Sequence, residues 1–169
     1  MNISPLYFLI PLALMNSSLA DNQEIFKTNT SSSRLVKHED GSRSYFEKTN
    51  EGKGMRKTTY NTKNVLVSVT LYFRGSHHEL RACLIYDGNK NELFYVRYGY
   101  DKDANLREEQ MFDFKTKELV RRFIYTYDAQ GNRSKPVCIT FVKPREGTEQ
   151  HAQPTAPEKD PFADDFRKP

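Results

Sequence analysis

The chain has no tryptophan, only two cysteines and eight glycines among its 169 residues. It also lacks any long apolar run. The longest, Leu6 to Met15, is ten residues interrupted by Pro11, too short for the roughly 20 residues that span a bilayer. A run of that length suits the core of a signal peptide. Residues 1–20 carry no charged side chain, and Ser18-Leu19-Ala20 supplies small residues at a cleavage site. Residues 1–20 therefore read as a signal peptide cut after Ala20. No Cys follows the cut, so a lipid anchor is not expected there, and no other segment reads as a transmembrane span. The mature chain is expected to be periplasmic or secreted.

Signatures of catalysis are also scarce. There is no G-x-S-x-G nucleophile motif and no Gly-rich phosphate loop. Glu108 and Glu109 are adjacent; on a strand they face opposite ways, which does not suit paired-carboxylate chemistry. His77-His78-Glu79 is the densest group of metal-type ligands, with His38-Glu39-Asp40 a second. A zinc centre needs convergent ligands, and nothing in this spacing imposes convergence. Both groups read as exposed turn residues. The expectation is a non-enzyme without metal or cofactor.

The formal charge of +4 is unevenly spread: residues 144–169 carry −2, residues 21–34 are neutral, and residues 35–143 hold +6. This has no strongly basic cluster, so nucleic acid is not an expected partner. A mildly basic exported domain suits acidic glycans or anionic surfaces.

What is present is a period. Phe46, Tyr60, Tyr72, Tyr86, Tyr100, Phe114 and Tyr127 follow one another at steps of 14, 12, 14, 14, 14 and 13 residues. Polar turn residues follow most of them. That spacing fits one strand plus one tight connection, repeated. The predicted fold is all-β, an antiparallel up-and-down meander of seven or eight strands, curled or closed into a small barrel or two packed layers. Candidate strands are about 43–48, 54–60, 65–74, 79–87, 92–101, 105–114, 118–128 and 136–143. Asp87-Gly88-Asn89, Asp101 to Asn105 and Asp128 to Asn132 are Asp-initiated turns. In each, the carboxylate is placed to accept from backbone N–H groups just ahead.

Residues 21–42 read as a flexible lead-in, 43–143 as the β-meander domain, and 144–169 as a disordered acidic tail with five prolines. Phe162 and Phe166 in that tail form a candidate docking motif. Cys83 and Cys138 fall in the fourth and eighth candidate strands. In an oxidising compartment they are disulfide candidates, and closing a loop of about 55 residues would contribute roughly 4 kcal/mol. Such a bridge requires the sheet to curl until those strands meet.

Tyr125-Thr-Tyr127-Asp128-Ala-Gln-Gly131-Asn132-Arg133 resembles the YD repeat of Rhs-like bacterial proteins. Tyr98-Gly-Tyr100-Asp101-Lys-Asp-Ala104-Asn105 is similar, with Ala104 where the family has Gly, and Tyr86-Asp87-Gly88-Asn89 is a shorter echo. The resemblance covers about 84–135. It implies strand–turn–strand units building β-sheet, with carbohydrate binding as the proposed role of such repeats; the motif itself is a turn signature, not an activity.

Tyr95, Arg97, Arg121 and Tyr125 belong to a stretch that interleaves aromatic and basic groups. On a sheet face, aromatic rings stack against sugars and guanidinium groups fork onto acidic substituents. These four are the candidate ligand residues. The expected function is an exported, non-catalytic binding or scaffold module of a bacterial envelope, with a glycan or envelope polymer as ligand. The alternative is a protein-interaction or assembly component using a sheet edge or the C-terminal tail.

Overall fold

A computed structural model describes residues 33–49, 54–159 and 161–162. The expected signal peptide and Phe166 lie outside the described residues. The strands are β1 (Arg34–Lys37), β2 (Arg43–Thr49), β3 (Gly54–Tyr60), β4 (Leu66–Arg74), β5 (Leu80–Asp87), β6 (Glu92–Tyr100), β7 (Leu106–Asp113), β8 (Leu119–Ile124) and β9 (Val137–Thr140). They form one antiparallel sheet in strict chain order. The all-β meander is as expected, and β2 to β9 follow the eight candidate strands. One strand was not foreseen: β1 lies in the segment read as a lead-in.

One turn chemistry builds most of the meander. In six loops the first residue's N–H donates to the carbonyl four residues on, and the fourth residue's N–H donates back to the first carbonyl. The first residues are His38, Asn61, Gly75, Asp87, Asp101 and Asp128. The fourth residues, Gly41, Asn64, His78, Lys90, Ala104 and Gly131, all have φ between 61° and 81°. This is a type I turn closed by a left-handed residue, the common three-residue hairpin loop. Its five residues plus a strand of eight or nine give the 14-residue step. At Asp87, Asp101 and Asp128 the carboxylate accepts from the backbone N–H two and four residues on, at 2.8–3.0 Å.

Alternation along the strands sorts the side chains. Phe46, Met55, Tyr72, Cys83, Val96, Met111 and Phe123 share one face through their cross-strand pairings, and all are buried. The sheet neither closes into a barrel nor divides into two layers. The C-terminal segment, residues 144–159 with Phe162, covers that face instead as a strap. Ala152 is fully buried and Phe162 is 4% exposed, both within the same core cluster. Residues 144–159 are therefore packed on the sheet, where composition had read a disordered tail. Composition misses this because the segment is held largely through its backbone amides and carbonyls, which every residue carries.

The open sheet also rules out the Cys83–Cys138 bridge. Cys83 is buried in β5 and Cys138 exposed in β9, and both thiols are free. Four strand steps separate them, roughly 19 Å at about 4.8 Å per step, against the 7 Å beyond which Cα atoms cannot be bridged.

Candidate functional site

The four candidate ligand residues do not converge. Tyr98 pairs with Glu109 and Glu109 with Phe123, so Arg121 and Phe123 share the covered face. Tyr95 and Arg97, one residue out of phase, lie on the opposite, open face. Phe112 and Gln110 face them across β7. The basic aromatic stretch is thus divided by the pleat.

On the covered face the centre is Glu109, a carboxylate with no exposure at all. It accepts from the Tyr125 hydroxyl, the Thr155 N–H at 2.8 Å, the Thr155 hydroxyl at 2.7 Å and the Ala156 N–H at 3.1 Å. Since the Thr155 hydroxyl gives its proton to Glu109, it receives those of the Tyr98 hydroxyl at 2.6 Å and the Cys83 thiol at 3.7 Å. The Tyr72 hydroxyl donates to the Thr155 carbonyl at 2.7 Å. Arg121 donates to the Ala152 carbonyl. Arg133, stacked 4.8 Å over Tyr125, donates to the Ala156 and Pro157 carbonyls. Arg145 binds Asp113. Further along, Arg34 and Lys48 lie over the Phe162 ring at 5.3 and 5.2 Å.

Arg121 therefore holds the chain's own C-terminal segment directly, Tyr125 acts on it through Glu109 and Arg133, and Phe162 is buried with it in the core. The clamp was missed in the sequence because its ligands are spread from Tyr72 to Arg133. The one available signal was Glu109, an acid at an inward position between Arg107 and Met111. Burial pushes the Cys83 thiol up to about 12, which leaves it protonated and unreactive. Burial, then the Glu109 charge, likewise raises the Tyr125 hydroxyl. Both groups are hydrogen donors here.

On the open face Arg97 lies 5.6 Å from the Tyr95 ring centre and 5.4 Å from that of Phe112. Arg122 pairs with Glu108 at 3.0 Å. Glu108 and Glu109 do face opposite ways. His77 and Glu79 are joined within the β4–β5 turn, the His77 N–H donating to Glu79 at 3.0 Å. No group of three metal-type ligands converges among the described residues, and none of their helices is long and apolar enough to cross a membrane.

At the β9 edge all four residues are exposed. Val137 is 64%, Ile139 40% and Phe141 54% exposed, and Val142 is exposed beside them. Val137 and Ile139 pair with Ile124 and Arg122, which places them on the open face. The Phe141 N–H still bonds to the Val120 carbonyl at 2.9 Å, so the edge runs on past β9. No protein-family model matches this chain, and no curated protein matches it.

Proposed function

We propose that the chain is an exported, non-catalytic binding module that captures an extended segment of a partner protein along β9. The observation that carries this reading is the chemistry of Val137-Cys-Ile-Thr-Phe-Val142, an uncharged, β-prone, exposed stretch at a sheet edge. Edges of this kind add strands from other chains unless charge, proline or a covering element blocks them. The opposite edge is blocked in that way: β1 is four residues with a cation at each end, Arg34 and Lys37. On β9 the blocking residues stand outside the stretch, at Lys135-Pro136 and Lys143-Pro144. They limit an added strand to about six residues and favour a neutral partner segment with acidic flanks.

A photo-cross-linking residue at position 139, compared with one at position 97, tests this in envelope extract. The expected result is a discrete adduct from position 139, mapped to an extended, acid-flanked segment of one other protein and lost in Thr140→Pro. Adducts only between copies of this chain would replace the partner with self-pairing.

A second reading keeps a glycan or envelope polymer as ligand on the open face. It is supported by the Arg97–Tyr95–Phe112 stack, a cation beside two rings. Polysaccharide adducts from position 97 and none from 139 would favour it.

A further inference from the structure

Between β3, β4 and residues 150–155 of the strap lies a cleft of about 210 Å³. Lys57, Thr59, Ser68 and Thr70 line its sheet side, and His151 and Pro154 its strap side. Lys57 and Thr70 are cross-strand partners, as are Thr59 and Ser68, so these four groups stand side by side on the covered face. The hydroxyl of Thr59 is bonded to Ser44 at 2.9 Å. The ammonium of Lys57 and the hydroxyls of Ser68 and Thr70 have no hydrogen-bond partner among the described residues. Strands β1 to β4 put no carboxylate on the covered face; the nearest is Asp87 of β5, opposite Ser68, which lies near His151 and is bonded to Asn89 and Asn91 of its own turn.

We propose that this cleft binds a single sugar acid, its carboxylate on Lys57 and its hydroxyls on Thr59, Ser68 and Thr70. Lys57, whose ammonium lies 5.9 Å from the centre of the Phe46 ring and has no carboxylate bonded to it, calls for one anionic group. Hydroxyl side chains donate and accept alike, which matches a polyhydroxylated ring better than a bare hydrocarbon acid. Tyr72, Ile85 and Pro154 add apolar wall for a ring's C–H face. The volume is below the 300–1,000 Å³ of drug-sized sites and limits the ligand to about one ring. Burial pushes the Lys57 ammonium below its usual value, and an anion seated against it would offset that desolvation. The site lies under the strap, separate from β9.

The test is a titration of the ¹⁵N-labelled full chain with D-glucuronate, D-glucose and acetate. The expected result is saturable shifts at the Lys57, Ser68, Thr70 and His151 amides with glucuronate. Glucose and acetate should each bind at least ten-fold more weakly, and Lys57→Met should weaken glucuronate at least ten-fold. Thr70→Val, nearly isosteric, should weaken it several-fold and serves alone if Lys57→Met does not fold. No shift at these amides, or unchanged affinity in the folded variants, would overturn the proposal. Acetate binding as tightly as glucuronate would overturn the sugar assignment.

Discussion

Glu109 shows how much one side chain can organise. A buried carboxylate is tolerated only when its lone pairs are filled, and the four donors at Glu109 come from β8's continuation and from the strap. Glu109→Gln puts an NH₂ where an oxygen faced N–H groups. It should cost about 2–3 kcal/mol, the range for a lost charge-assisted bond plus an unpaired donor, read as a shift in the urea midpoint. Protease cutting after residue 144 should rise in the same variant. Arg121→Ala or Tyr125→Ala should loosen the strap in the same way, since Arg121 bonds the Ala152 carbonyl and Tyr125 supports Glu109 and Arg133, which bond it. The two cysteines make a second residue-scale prediction. Cys138 should react with a maleimide in the native protein, and Cys83 only after unfolding. No thiol reacting in denaturant would mean that a bridge exists.

At the scale of the element, the repeated hairpin loop explains both the period and its exceptions. Its fourth position has positive φ, where a residue with a Cβ is roughly 1–2 kcal/mol worse than glycine. Ala104 sits there with φ 62°, where the loops begun by His38 and Asp128 have Gly41 and Gly131. Ala104→Gly should stabilise the protein by about 0.5–1 kcal/mol once the extra freedom of the unfolded glycine is subtracted, measured as a raised melting temperature. The turn carboxylates add a pH dependence. The Asn105 backbone N–H, with the Asn105 side chain and Arg107, holds Asp101 down at about 2. The Asn132 side chain and backbone lower Asp128. A carboxyl with a depressed folded pKa stabilises the fold fully above its unfolded value, near 3.9. That contribution is lost as pH falls through the folded value. Thermal stability should therefore decline between about pH 4 and pH 2, and by less in Asp101→Asn.

For the whole molecule, the decisive element is the strap. A single sheet with one apolar face needs a second layer, and here the layer is a proline-containing segment without strands or α-helix. Removing residues 144–169 should expose Tyr72, Phe94, Met111 and Phe123 together. The truncated chain should bind a hydrophobic dye and lose its cooperative melt. A sharp transition unchanged from the full chain would show that the strap is dispensable. Tail deletion is consequently no clean test of tail-mediated docking, because it also removes the sheet's cover.

The meander was legible in the sequence because local chemistry encodes it. Aromatic spacing sets strand length, Asp, Asn and Gly set the turns, and short turns force neighbouring strands to pair antiparallel. Glu108 and Glu109 pointing apart was legible for the same reason, as a consequence of the pleat. The candidate site was not. Whether Tyr95 and Arg97 share a face with Arg121 and Tyr125 depends on pairing register across β6, β7 and β8. A one-residue phase difference separated them. Strap docking, the open sheet and the two free thiols were decided only in the tertiary structure. They rest on contacts between residues far apart in sequence, such as Tyr72 with Thr155 and Arg34 with Phe162, and on backbone groups whose identity no side-chain pattern records.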